Sequence, residues 1–216
     1  MADKAVILLS GGIDSTTLLH FLKALGFKLY GISFNYGQRH RKELDYATYW
    51  GKLLCKEHKL IYLPINELLT SSALIDTEKI IPEGEYSFEN QKITVVPNRN
   101  MIMLSLALAY AENIKADLVF YGAHTSDHAV YPDCRPEFIE AISKAGLLAT
   151  YQKVKVLAPF THFTKTQIVR LGKCLGVDYN KTWSCYYGQE LPCGRCATCK
   201  EREKAFKESE VSDCEL

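Results

Sequence analysis

Short apolar runs alternate along the chain with stretches whose apolar residues recur at helical spacing. Ala5–Leu9, Lys28–Phe34, Lys59–Leu63, Asp117–Tyr121 and Lys153–Leu157 are short and apolar, as strands are. Between them the spacing predicts helices from near Ser15 to Gly26, Arg41 to about His58, Asn98 to about Asn113, and Pro136 to about Thr150. Gly26 suits the left-handed position that ends a helix, and Pro136 suits a first turn. This alternation predicts an α/β fold, a parallel twisted sheet with helices on both faces. Asp76–Gln91 carries charges, Pro and Gly without a sustained period and reads as a long loop. After Gly176 the pattern shifts to Trp, Tyr, Gly, Pro and Cys. The main domain is therefore expected to span residues 1–176, with 177–216 as a small C-terminal segment. Its charged last helix, Ala197 to about Glu210, is expected to be solvated on most sides.

Composition narrows the classes. The 216 residues, 47% hydrophobic, can bury a sizeable core, and 26 basic against 25 acidic residues leave a formal charge of +1. No long-range positive field favours a polyanion, so nucleic acid is not the expected partner. The longest apolar runs, around Met101–Ala111, fall short of the roughly 20 residues that span a bilayer. Met-Ala-Asp-Lys leads straight into a strand-like run, so no membrane partner and a cytoplasmic location are expected. Cytosolic thiols stay reduced, which argues against a disulfide framework for the eight cysteines. Cys55, Cys134, Cys174 and Cys214 are isolated; Cys185, Cys193, Cys196 and Cys199 are bunched.

The first strand runs into Ser-Gly-Gly-Ile-Asp-Ser-Thr-Thr and then a helix. Such a turn presents backbone N–H groups and the positive end of a helix dipole, a natural place for phosphate. Gly11 and Gly12 let the main chain approach a ligand, and the hydroxyls of Ser10, Ser15, Thr16 and Thr17 can donate to phosphoryl oxygens. The lysine of a Walker loop is missing, which implies a different handling of ATP. Asp14 would repel phosphate unless a cation such as Mg²⁺ intervenes or it works at the helix N-terminus. Without a ligand, Asp14 and Ser15 are also ordinary capping residues.

The bunched cysteines have the form Cys185-x7-Cys193-x2-Cys196-x2-Cys199. Four thiolates suit one closed, structural, tetrahedral Zn²⁺ per chain, with an iron–sulfur cluster as the alternative. Elsewhere, Thr164-Lys165-Thr166-Gln167 has the form of a capping box. That puts Lys165 in a first helical turn, where it opposes the dipole unless a phosphate partner reverses the sign. His124, His128 and His162 read mainly as structural or solvated.

The loop resembles the pyrophosphate loop of the N-type ATP pyrophosphatases, which cleave ATP between the α- and β-phosphates. The likeness assigns ATP to Leu8, Leu9, Ser10, Gly11, Gly12, Ile13, Asp14, Ser15, Thr16, Thr17 and Leu18. "FNYGQRH" at Phe34–His40, "VPNRNMIMLSLA" at Val96–Ala107, "YPDCRPEF" at Tyr131–Phe138 and "TWSCYYG" at Thr182–Gly188 extend the match. Together with the cysteines they resemble the 7-cyano-7-deazaguanine synthase family from Val6 to Cys199. One departure is His128-Ala129-Val130, where that family more usually has an aromatic residue, Ser and Gly.

The resemblance implies an ATP-dependent ligase forming C–N bonds, taking 7-carboxy-7-deazaguanine and ammonia to 7-cyano-7-deazaguanine in queuosine or archaeosine biosynthesis. It also implies adenylated intermediates, an amide, Mg²⁺ with ATP and a homodimer. The chain has no room for a separate glutaminase domain, so free ammonia is the expected nitrogen source. Against that substrate, Arg99 is a candidate contact to nucleotide or acid, Asp127 to the guanine-like N–H edge, Arg135 to the carboxylate and Tyr131 to the face of the base. Lys165 joins them as a candidate phosphate contact. The competing classes are a pyrophosphatase-type tRNA-modifying enzyme and a non-catalytic nucleotide-binding sensor. Near-zero charge and the lack of an RNA-binding appendage weigh against the first. The loops carrying Asp127 and Arg135 go unexplained by the second.

Overall fold

The computed structural model describes residues 3–84, 91–128 and 130–209. Five strands, β1 Lys4–Leu8, β2 Lys28–Asn35, β3 Glu57–Tyr62, β4 Leu118–Phe120 and β5 Lys155–Leu157, form one sheet in the order β3-β2-β1-β4-β5. Every neighbouring pair is parallel. Parallel neighbours need crossovers, and four helices supply them: α1 Ile13–Ala24, α2 Lys42–Leu54, α3 Arg99–Ile114 and α4 Pro136–Ala149, while α5 Lys165–Cys174 and α6 Ala197–Glu208 follow the last strand.

Strand side chains alternate between two cores. Ala5 and Ile7 of β1 join Leu118 and Phe120 of β4 under α1, α2 and α5, with Leu18, Leu22, Trp50 and Ile168 filling that layer. Val6 and Val119 face the other way, with Ile32, Leu104, Ala107 and Ile142 under α3 and α4. Helices therefore cover both faces, as the strand–helix alternation predicts. Gly26 ends α1 at φ +88°, its N–H donating to the Lys23 carbonyl.

The largest departure from the expected elements lies at the end of α2. The helix stops at Leu54, and Glu57–His58 begin β3 instead of continuing it. His58 pairs with Gly31 of β2, and its Nε2 lies 2.8 Å from the Ser33 hydroxyl. Only Gly51 and Gly31 leave room for that ring, since a Cβ would come within 2.4 Å and 2.9 Å of it. Sheet pairing overrides the helical pattern there.

Part of the expected loop, residues 85–90, lies outside the described residues, as do Ala129, Glu210 and Cys214. The described part is tied down. Ile81 is fully buried, Glu83 bridges Cys196, and the Gly84 N–H donates to the Arg195 carbonyl at 2.9 Å. The last helix keeps Lys200, Glu203, Lys204 and Lys207 exposed but buries Ala197, Cys199 and Ala205. Phe206 meets Tyr179 edge-on at 5.1 Å, and the Tyr179 hydroxyl lies 2.9 Å from Thr17 Oγ1 in α1. No described helix is long and apolar enough to cross a membrane.

Candidate active site

In open parallel sheets the ligand crevice lies beyond the carboxyl ends of the strands where connections diverge, here β1 and β4. A cavity of about 270 Å³ opens at that point. The loop after β1 forms its floor. Ser15 Oγ accepts the Ser10 N–H at 3.2 Å and lies 3.0 Å from Ser10 Oγ, which fixes the turn. Gly11 sits at φ +81°, where a Cβ would lie 2.1 Å from the Glu43 carbonyl of α2. Its carbonyl accepts the Trp183 N–H at 3.0 Å. No side chain caps α1, whose cap residue is Gly12, so its first N–H groups remain for a ligand. Leu8, Leu9, Ser10, Gly12, Ile13, Asp14 and Ser15 line the cavity. Gly11, Thr16, Thr17 and Leu18 do not; Thr16, Thr17 and Leu18 are buried, and Thr17 is occupied by Tyr179.

Across the loop stands a charged group. Thr164 and Gln167 form the expected capping box of α5, and Lys165 in its first turn reaches Asp14 Oδ1 and Oδ2 at 2.8 and 2.7 Å. Glu201 of α6 lies 3.6 Å from the same ammonium. Burial pulls the Asp14 carboxyl up, but the Lys165 charge and its hydrogen bonds, helped by the neighbouring His124, outweigh it and hold it below the ordinary value. Burial likewise opposes the charge on Lys165, and the carboxylates of Asp14, Glu201 and Asp127 hold its pKa above the ordinary value. The unfavourable position of this lysine on its own helix is thus offset by partners on other elements. His124 is buried, with Nδ1 accepting the Ser126 N–H at 3.3 Å. The ring proton then sits on Nε2, which faces Asp14 at 3.7 Å and Asp127 at 3.5 Å.

The rest of the wall is aromatic and apolar: Ile32, Phe34, Tyr36, Met103, Tyr121 and Tyr131 line it and belong to one core cluster. Arg99, at the start of α3, donates to the Tyr36 hydroxyl at 2.9 Å. The Tyr131 hydroxyl lies 3.0 Å from Thr94 Oγ1 and 3.3 Å from Tyr186. Arg99, Asp127, Tyr131 and Lys165 thus share the cavity. Arg135 does not line it; its side chain is turned to the His128 carbonyl at 2.9 Å.

Glu43 also lines the cavity, with its side chain 14% exposed. Burial pushes its carboxyl up from 4.5 to about 7, against the Gln38 hydrogen bond and the Arg99 charge. A carboxyl raised in the folded state adds stability below its unfolded value and loses it as pH rises through the folded one. Glu43→Gln is therefore expected to exceed the wild type in stability near pH 8 by up to about 3 kcal/mol, with the gap closing toward about pH 5. Thermal unfolding across that range checks this, and a pH-independent gap overturns it.

The four bunched cysteines converge, each sulfur within 4.8 Å of the others. Cys193 and Cys199 sulfurs are 3.9 Å apart, close to the ~3.8 Å edge of a tetrahedron with Zn–S bonds of about 2.3 Å. N–H groups of Cys193 and Cys196 donate to the sulfurs of Cys185 and Cys193. The set suits a soft, four-coordinate metal ion. It also braces the cavity: Trp183, Ser184, Thr198, Glu201 and Arg202, all in or beside this segment, line it. Arg202 donates to Thr182, Ser184 and the Tyr179 carbonyl at 2.9, 3.2 and 2.7 Å.

His124, Glu43, Glu201 and Arg202 are absent from the candidates drawn from the sequence. Glu43 stands three residues beyond the quoted "FNYGQRH", and that spacing from the motif was the available signal. Glu201 and Arg202 sit in a helix whose charge density hides them.

The fold and the loop define an α/β nucleotide-binding protein of the pyrophosphate-loop kind. The chain belongs to the queuosine biosynthesis protein QueC family, whose pattern matches residues 4–210. It is 51% identical over 212 residues to the 7-cyano-7-deazaguanine synthase of Hahella chejuensis, covering 98% of this chain and 91% of that one. The synthase of Caldicellulosiruptor saccharolyticus is 50% identical over 210 residues, covering 97% and 93%. Among solved structures, the NMN synthetase from Francisella tularensis shares the fold at a TM-score of 0.56 and 15% identity, covering 99% of this chain and 90% of that one.

Proposed function

We propose that the protein is an ATP-dependent 7-cyano-7-deazaguanine synthase, a ligase forming C–N bonds that converts 7-carboxy-7-deazaguanine and ammonia to the nitrile. Family membership and the names of its relatives support the substrate; the observation that carries the chemistry is the Asp14–Lys165 pair facing the glycine loop at the sheet's ligand crevice. A carboxylate is a poor electrophile because oxide would have to leave. Its oxygen attacks the α-phosphate of ATP, pyrophosphate departs, and the acyl adenylate carries AMP as leaving group. Ammonia displaces AMP to give the amide. The amide oxygen then takes a second AMP, whose loss with the nitrogen protons leaves the nitrile.

Within this reading the loop N–H groups and Lys165 bind the departing pyrophosphate, and His124 orients Asp14. Carboxylate oxygens at Asp14 and Glu201 suit Mg²⁺, which neutralises triphosphate charge when bound. Asp127 is assigned the N–H edge of the base and Tyr131 its face. Arg99 lines the cavity and Arg135 does not, so the acid's carboxylate goes to Arg99. Cys185, Cys193, Cys196 and Cys199 hold Zn²⁺ in a structural role.

The test is incubation with ATP, ammonium and the carboxylic acid, followed by mass spectrometry of bases and nucleotides. AMP, pyrophosphate and the nitrile are expected. ADP with inorganic phosphate as the chief products would overturn the assignment.

A further inference from the structure

Glu43 has no part in the steps above, yet it is a largely buried carboxylate on the cavity wall with no Lys or Arg within ion-pair distance among the described residues. Oε1 accepts the Gln38 amide N–H at 3.2 Å and lies 3.5 Å from His40 Nε2. Oε2 accepts no hydrogen bond from a described residue. A carboxylate kept for stability alone would be paired, because an unpartnered buried charge is costly. Its backbone carbonyl abuts Gly11, which sets it beside the phosphate loop. On the other side, Arg99 and Tyr36 form their hydrogen-bonded pair on the same cavity wall.

We propose that Glu43 takes a proton from ammonium so that ammonia can attack the activated carboxyl carbon, an inference resting on the functional reading above. Ammonium is no nucleophile, since its nitrogen lone pair is held by a proton. The open oxygen of Glu43 accepts that proton. The freed lone pair forms the C–N bond, and the tetrahedral adduct collapses as AMP leaves with the C–O electron pair. The nitrogen sheds its surplus proton to the departing phosphate. Reading the base edge is the competing task for a carboxylate here, and it would show in Glu43→Gln as a loss of exchange equal to the loss of amide formation. The groups facing Glu43 are the buried His40 imidazole, the Tyr36 phenol and the Arg99 guanidinium, with the uncharged Ser10–Gly12 turn on the loop side. Burial raises the Glu43 carboxyl toward neutrality, the range in which a proton acceptor is effective.

The experiment separates the half-reactions. Exchange of labelled pyrophosphate into ATP, dependent on 7-carboxy-7-deazaguanine and run without ammonium, reports adenylation. Amide formation on adding ammonium reports attack. Glu43→Gln is expected to lose amide formation by about 10²-fold or more, the range for removal of a general base, with a much smaller loss of exchange. Hydroxylamine, largely unprotonated at neutral pH, should restore acyl transfer in that variant as the hydroxamate. Equal loss of exchange and amide formation, or wild-type amide formation in the variant, overturns the proposal. If the variant does not fold, the wild-type profiles decide: at fixed total ammonium, transfer should fall with acidity less steeply than the free-ammonia fraction as long as Glu43 stays ionised, and a rate that tracks the free-ammonia fraction through that range overturns it. Wild-type protein that shows no acid-dependent exchange instead overturns the functional reading itself.

Discussion

Cys196→Ser is expected to prevent metal binding, unfold the segment that follows Gly176 and abolish activity. Cys196 is fully buried, caps α6 and bridges Glu83, so three chain segments meet at it. The apolar cluster around it is small: its buried members besides the cysteines are Ala73, Ile81 and Trp183, with Tyr46, Tyr186 and Tyr187 packed against them. Zinc held by four thiolates contributes on the order of 10 kcal/mol at neutral pH, which dominates a cluster of that size. Loss would reach the cavity directly, since Trp183 bonds the Gly11 carbonyl and Glu201 faces Lys165. Elemental analysis and circular dichroism check this. A folded, zinc-replete, inactive variant would sink the structural role.

For Asp14→Asn the expected result is a folded protein whose acid-dependent pyrophosphate release falls by about 10²–10³-fold, as when one preorganised electrostatic contact is removed. Asparagine keeps an acceptor for Lys165 but not the charge that orients it, and the ammonium, 12% exposed, is left with Glu201 at 3.6 Å. Stability should also fall by about 2 kcal/mol at neutral pH, the scale of a charge-assisted hydrogen bond. The carboxyl is held below its ordinary 3.8, so its contribution is present above that value and disappears as pH falls through the lowered one. Urea unfolding of both proteins at neutral and strongly acid pH tests the sign. A deficit that persists in acid would show that Asp14 acts through packing instead of charge.

The sheet, the loop and the cysteine cluster were legible because each is written in local order. Strand-like runs, a Gly-Gly turn before a helix and close cysteine spacings need no knowledge of distant residues. What the sequence hid is what only the fold brings together. Lys165 reads locally as a residue opposing its own helix dipole, and the reason for it, Asp14, lies 151 residues earlier in the first turn of α1. His124 reads as an ordinary histidine until the two carboxylates beside it are placed. Arg135, prominent in its motif, is turned to a neighbouring carbonyl, while Arg99 at a helix start enters the cavity. The β3 boundary slipped because two glycines far apart in sequence open a place for His58.

The strand order also governs how the chain is made. β1 pairs on one side with β2, which follows soon after, but its other edge waits for Leu118–Phe120. During synthesis the apolar edge carrying Val6 and Ile7 stays unpaired while the whole first half of the chain leaves the ribosome, a window in which nascent strands associate wrongly. The nucleotide loop closes later still, when Trp183 emerges to bond Gly11. Chains arrested after β5 but before Trp183 would hold a formed sheet and an unfinished site, making them substrates for chaperones and not partially active enzymes.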